Sequence, residues 1–257
     1  MASPDTDRVN REAFDSFVEA MLAGPVEDLK MKENDWKKFD RPCPPGNDYV
    51  YAVQRLGDVT NKRVLDFGCG TGYLSVILAR RGARVVAFDL SLNSLKVAVR
   101  RGVVNSLENV VCVQQMSAND LAYKDETFDL IIGLGVLQYL DLQVVSCELE
   151  RVLKREGKAI FVEPFSNSHV MQFVLEKLKW VWGCPFHGKP LTIAGLGVLG
   201  KPFSQISCKE FGFLSRMERI IHNRKIIRYV RMTDGLLLEW IPCFRKYARS
   251  VVIKLVK

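Results

Sequence analysis

Val64-Leu65-Asp66-Phe67-Gly68-Cys69-Gly70-Thr71-Gly72-Tyr73-Leu74-Ser75 is the stretch that decides how this chain folds. An apolar run ends at Asp66, glycines follow at alternate positions 68, 70 and 72, and a helical pattern starts at Tyr73. Glycine suits a backbone that must turn tightly or approach a ligand without a Cβ in the way. A strand that enters a helix through such a turn presents unpaired N–H groups to a ligand. The segment reads as a strand–loop–helix cradle for a nucleotide-type cofactor.

Spacing narrows the cofactor. A dinucleotide fingerprint puts its third glycine at the third position after the second, and that position holds Tyr73. A tyrosine there fits a pyrophosphate poorly, which disfavours a nicotinamide-dependent oxidoreductase.

The surrounding chain alternates apolar runs with helical patterns, the mark of a parallel sheet with crossover helices. Strands are expected at Val64–Phe67, Arg84–Phe88, Val110–Gln114, Phe128–Gly133 and Lys158–Val162, with helices at Tyr73–Arg81, from Ser91 through Arg101, and from Leu142 to Gly157. Ser91 is placed to cap the second of these. Beyond Pro164 the pattern predicts a helix over Ser168–Trp182, irregular chain from Gly183 to Pro202 and a sixth strand over Phe213–Ile221. A helix over Tyr229–Ile241 and a last strand over Ser250–Val256 complete it.

At 257 residues the chain suits one α/β domain with embellishments. No apolar run reaches the roughly 18 residues of a membrane span, and the polar N-terminus lacks a secretory pattern, so a cytoplasmic protein is expected. The seven cysteines include no C-x-x-C pair, which argues against a zinc site and a disulfide scaffold. No metal is expected. Charge is uneven: residues 164–257 carry 16 Lys+Arg against 5 Asp+Glu, whereas residues 1–163 carry 21 against 24. A basic last third suits an acidic substrate, nucleic acid or an anionic membrane surface, or is a plain solvated face. Arg224-Lys225 with Arg228 and Arg231 is its modest cluster.

The pattern Asp66-x-Gly68-x-Gly70-x-Gly72 resembles the first motif of class I S-adenosylmethionine-dependent methyltransferases. Three further segments carry the likeness: Asp89 after Val85-Val86-Ala87-Phe88, the run Gln114 to Leu121, and the run Phe128 to Leu140. Leu153 to Pro164 resembles the family's crossover into the fifth strand. The resemblance implies a Rossmann-like, doubly wound, mostly parallel seven-stranded sheet with an antiparallel terminal strand and a helical lid. It divides one domain, 1–257, into an N-terminal helical cap (1–60), a cofactor-binding core (61–164) and a substrate lid with the final strands (165–257).

The implied cofactor is S-adenosyl-L-methionine. Asp66, Gly68, Cys69, Gly70 and Gly72 would surround its methionine end, and Asp89 would accept hydrogen bonds from the ribose hydroxyls. Leu90 and Ala118 would wall the adenine. The family often has an acidic residue where this chain has Ser117, so the adenine amino group is left to Ser117, the Asn119 side chain or the backbone. Gly133 and Gly135 would leave room for the methyl, and Trp36, in the aromatic run Asn34 to Asp40, would belong to a lid. Many relatives carry histidine near Gln138 and Tyr139; its absence leaves Tyr139, Glu163, His187 and His169 as candidate bases.

No acidic cluster follows the fourth strand, which speaks against a magnesium-dependent catechol-type enzyme. Trp180 to Phe186 and the loop Leu191 to Leu199 would form an apolar lid, made mobile by Gly195, Gly197 and Gly200. The expected activity is methyl transfer to a small apolar or aromatic metabolite, oxygen favoured over nitrogen or carbon. An RNA-modifying methyltransferase and a non-catalytic S-adenosylmethionine-binding protein are the competing readings. Peripheral membrane contact stays open, and the oligomeric state is not legible.

Overall fold

The computed structural model describes residues 4–107, 111–167, 188–214 and 223–257. Helices α1 (Pro4–Ala23), α2 (Glu33–Lys37) and α3 (Asp48–Leu56) precede β1 (Arg63–Phe67). Then follow α4 (Tyr73–Arg80), β2 (Arg84–Asp89), α5 (Leu92–Val104), β3 (Val111–Gln115), β4 (Phe128–Leu134), α6 (Leu142–Val152) and β5 (Leu153–Pro164). The last elements are α7 (Ile193–Gly200), β6 (Gln205–Phe211), α8 (Arg224–Trp240) and β7 (Ser250–Val256). Seven strands form a single sheet in the order β3-β2-β1-β4-β5-β7-β6. Strands β1 to β5 pair in parallel, and β7 runs antiparallel to both of its neighbours, as the sequence predicts.

Strand order reverses between β1 and β4, so the chain leaves the sheet in opposite directions from their carboxyl ends. A crevice opens there, the place where open α/β sheets hold ligands. β1 carries side chains buried from Val64 to Phe67 because both its faces are covered. One face packs Phe67 edge-on against Phe88 and Phe161, with ring centroids 4.9 and 5.6 Å apart. The other receives α3 and α4 through Val53, Leu56, Ile77 and Leu78. Ser91 caps α5 as expected, its hydroxyl accepting the Ser94 N–H at 3.0 Å.

The structure departs from the sequence reading at several places. Helix α6 stops at Val152, not near Gly157, because Leu153 turns extended and pairs with Phe128 inside the sheet. Apolar neighbours at 152 and 153 satisfy a helix face and a strand equally well, so spacing could not separate them. The irregular stretch ending at Pro202 contains α7, capped by Thr192, whose hydroxyl accepts the Gly195 N–H at 3.2 Å. Two of its glycines stand in close contact, since a Cβ on Gly195 would lie 3.1 Å from Leu142 and one on Gly200 3.0 Å from Ile206, whereas Gly197 has open space. The sixth strand is Gln205–Phe211, upstream of its predicted place, where alternating polar residues on an exposed edge hide the strand signal. The predicted helix over 168–182, and most of the strand placed over 213–221, lie outside the described residues.

Gly133 sits in the sheet interior, where a Cβ would come 2.6 Å from the Phe161 ring and 3.0 Å from the Phe67 carbonyl oxygen. Gly133→Ala should therefore destabilise the fold by about 1–3 kcal/mol through overpacking. Urea titration should show a lower midpoint at unchanged slope, and an unaltered midpoint would contradict this packing.

Candidate functional site

A cavity of about 320 Å³ lies at the carboxyl ends of β1, β2 and β4. Its floor is the glycine turn with two carboxylates. Asp66, at the end of β1, is almost fully buried and accepts the Ser75 hydroxyl at 2.5 Å. Burial, with a further push from the neighbouring Asp89 charge, raises its carboxyl up to about 7. Asp89, at the end of β2, accepts the Gly70 N–H at 2.8 Å and the Ser91 N–H at 2.9 Å. Burial raises this carboxyl too, against the pull of those amides. Burial also holds the Cys69 thiol protonated, far above its ordinary range.

The three glycines of the turn all have positive φ, from 51° to 71°, but their missing side chains do different things. A Cβ on Gly68 would strike Val136 at 2.7 Å, so this glycine lets the β1 turn meet the loop after β4. One on Gly72 would strike Ala98 at 2.7 Å, which makes that glycine a seat for α5. Only Gly70 has open space where its Cβ would be, and it lines the cavity. Arg101 holds the turn from behind, donating from Nε to the Thr71 carbonyl at 2.9 Å.

Of the residues the sequence proposes for a cofactor, the cavity wall contains Asp66, Gly68, Cys69, Gly70, Asp89, Leu90, Ser117 and Ala118. Gly72 and Gly133 stand behind it, occupied with packing. Trp36 is not at the wall either; the Arg80 guanidinium lies over its ring at 4.1 Å. Its segment reaches the site indirectly, where Lys38 donates to the Tyr73 hydroxyl at 2.6 Å. The cover comes instead from residues that sequence reasoning missed. Phe14 on α1 meets Tyr139 edge-on at 5.7 Å, and Tyr49 on α3 lines the same space. Helix α1 is held there by Asp15, which accepts the Ser91 hydroxyl at 2.5 Å.

Tyr49 is the informative omission. Its hydroxyl is buried without a hydrogen-bond partner, and burial holds the phenol protonated. A buried, unsatisfied donor costs stability unless a ligand completes it. No spacing rule marks a tyrosine two positions into a helix for this role; its signal is tertiary.

Among the candidate bases, Tyr139 lines the cavity. His187 and His169 lie outside the described residues. Glu163 does not reach the wall. It is fully buried at the end of β5, and its carboxylate accepts N–H groups of Val136 (2.8 Å), Leu137 (2.9 Å) and Gln138 (3.4 Å). It thereby anchors the turn Leu137–Tyr139 that carries Tyr139. Burial pushes this carboxyl up to about 8 despite the three amides, which favour the anion.

The donor set suits S-adenosyl-L-methionine. The buried Asp66 and half-buried Asp89 carboxylates face a space whose wall, among the described residues, contains no Lys or Arg, so a ligand bringing an ammonium and vicinal hydroxyls would satisfy them. Asp89 spends two of its roughly four acceptor positions on backbone amides, which leaves two for hydroxyls.

The comparisons with known proteins agree with this geometry. The methyltransferase domain family matches residues 65–161. A ubiquinone biosynthesis O-methyltransferase of Alkalilimnicola ehrlichii is 31% identical over 168 residues, 63% of this chain and 64% of that protein. A demethylmenaquinone methyltransferase of Clavibacter sepedonicus is 34% identical over 122 residues, 46% of this chain and 49% of its own. The chain thus spans less than two-thirds of either relative. Among solved structures, geranyl diphosphate C-methyltransferase from Streptomyces coelicolor, in complex with Mg2+, geranyl diphosphate and S-adenosyl-L-homocysteine, superposes with a TM-score of 0.68. It covers 99% of this chain and 98% of that one at 14% identity. This chain carries a class I S-adenosylmethionine-dependent methyltransferase domain.

The raised carboxyl of Glu163 has a consequence for stability. An acid whose folded pKa lies above its unfolded value stabilises most below the unfolded value, and that contribution is lost as pH rises through the folded one. For Glu163 the window runs from 4.5 to about 8. Urea titrations across that range should show a falling unfolding free energy, and Glu163→Gln should flatten the fall. An identical slope in the variant would refute the assignment.

Proposed function

We propose that this protein is an enzyme that transfers the methyl group of S-adenosyl-L-methionine to an oxygen atom of a small apolar or aromatic metabolite. The observation that carries this reading is one cavity that joins two unlike walls. On one side stand Asp66, Asp89 and the open Gly70, and on the other Phe14, Val136, Tyr139 and Leu140.

The roles divide along those walls. Asp66 offers a carboxylate to the ligand's ammonium, and Tyr49 offers a protonated hydroxyl to an anionic or carbonyl oxygen. Asp89 accepts from the ribose, and Leu90 with Ala118 covers the base, Ser117 being its polar neighbour. The cofactor supplies an activated methyl on a sulfonium, so the protein's work is alignment and exclusion of water. An acceptor hydroxyl loses its proton as its oxygen bonds to carbon. Tyr139, the candidate base at the wall, relays it, passing its own phenol proton on to water as it takes the acceptor's. Glu163 acts through the turn it anchors and is a positioning residue.

The quinone-biosynthetic names of the sequence relatives favour a phenolic or quinol-type acceptor, whose oxygen needs little beyond positioning. The apolar wall suits such a ring. Incubating purified protein with S-adenosyl-L-methionine and a panel of apolar phenols should give products heavier by one methylene, detected by mass spectrometry with matching S-adenosyl-L-homocysteine. Cofactor binding without turnover on any acceptor would reject the catalytic reading. Asp89→Ala should weaken cofactor binding by roughly 1–3 kcal/mol through the lost charged hydrogen bonds. Unchanged affinity by calorimetry would remove Asp89 from the site.

A further inference from the structure

The end of α2 sends two neighbouring lysines to opposite sides. Lys37 stays on the surface, its ammonium 2.5 Å from the Glu33 carboxylate one turn back. Lys38 turns inward, because the flanking aromatics are fixed: Trp36 lies under the Arg80 guanidinium, and Phe39 is buried edge-on to Tyr49 with ring centroids 5.4 Å apart. The Lys38 ammonium sits 4.9, 5.1 and 5.6 Å from the ring centroids of Tyr73, Phe39 and Tyr49. Aromatic faces attract an ammonium through their quadrupole, so the charge is held there without a carboxylate in contact. Burial lowers its pKa, opposed by the Asp35 charge.

Lys38 donates to the Tyr73 hydroxyl at 2.6 Å, and Tyr73 donates to one oxygen of Asp35 at 3.3 Å. The other Asp35 oxygen accepts the Lys32 N–H at 2.9 Å. The acid therefore bonds a phenol and a backbone amide. Among the described residues the ammonium donates to Tyr73 alone, with two of its three protons left over. Arg101, the other cation beside Tyr73, is bonded to the carbonyls of Thr71 at 2.9 Å and Leu29 at 3.3 Å. Tyr49 and Tyr73 both line the cofactor cavity, and the Tyr49 hydroxyl is the buried one without a partner. Asp66 stands at the same end: burial keeps the Tyr49 phenol protonated, and the Tyr73 and Asp66 charges add to that effect.

The amino-acid end of S-adenosyl-L-methionine carries an ammonium and a carboxylate on one carbon. Asp66 suits the first. The second meets a wall that has no Lys or Arg among the described residues, and an anion taken out of water without a cation nearby is costly. We propose that Lys38 is the positioning residue for this carboxylate, supplying its counter-charge from behind Tyr49 and Tyr73 while the Tyr49 hydroxyl supplies the hydrogen bond. The aromatic rings keep water out from between the two charges, so their attraction is weakly screened. The proposal rests on the cofactor assignment and is independent of the methyl acceptor.

Calorimetry with two ligands tests it: S-adenosyl-L-methionine and its decarboxylated analogue, which keeps the amine, sulfonium, ribose and adenine. The parent chain should bind the intact cofactor about tenfold more tightly. Lys38→Met keeps an apolar stem between the rings; it should weaken the intact cofactor about tenfold and leave the decarboxylated ligand within about twofold. Tyr49→Phe should show the same pattern. A Lys38 that merely braced the fold would weaken both ligands alike when replaced, and that result would overturn the proposal. So would a parent that binds the two compounds equally, or a Lys38→Met variant with an undiminished preference for the carboxylate. If circular dichroism shows Lys38→Met unfolded, the parent's two affinities and the Tyr49→Phe pattern decide. A parent that binds neither compound would reject the cofactor assignment itself, and the proposal with it.

Discussion

Two carboxylates beside a glycine turn, one buried and one half-buried, are the constraint on which the rest of this molecule depends. Asp66 and Asp89 end adjacent strands, and burial makes the charged form of each expensive. The protein meets part of that cost with the Ser75 hydroxyl and the amides of Gly70 and Ser91. The remainder is left for a ligand. A cavity that keeps carboxylate lone pairs beside the unpartnered Tyr49 hydroxyl is preorganised for a ligand that supplies their partners.

Holding that arrangement requires loops that approach closely and do not move apart. The β1 turn and the loop after β4 touch through the missing Cβ of Gly68, and Glu163 fastens the second loop with its whole carboxylate. Phe67, Phe88 and Phe161 pack edge-on beneath them, so loop positions are set by a packed aromatic layer. A buried carboxylate used as backbone cap is costly, yet the amides it serves would be orphaned without it. Carboxylates therefore have two settings within one sheet: facing the cavity at the ends of β1 and β2, and bracing backbone amides at the end of β5.

The apolar half of the cavity is assembled from distant parts of the chain. Phe14 arrives on α1, Tyr49 on α3, and Val136 to Leu140 from the loop after β4. This cover gives the site its dry, aromatic character. The matched methyltransferase family segment, 65–161, ends before the last two strands and excludes α1 and α3.

Much of the fold was legible because parallel β–α alternation leaves a regular imprint: apolar runs, capped helices, and glycines where backbones must meet. Asp66, Gly70 and Asp89 could be named because chemistry at a strand end is local. By contrast, α7 was concealed by its three glycines and β6 by its polar edge, both features whose meaning depends on neighbours far along the chain. Sequence alone offered Tyr139 and Glu163 alike as candidate bases, and burial decides which one faces the cavity. What the amino-acid order determined by itself was the glycine turn with its two carboxylates, because its hydrogen bonds run between residues close in sequence or on adjacent strands. What only tertiary structure decided was the cover and the division of labour among acids, because burial is a property of the packed chain and of no single segment.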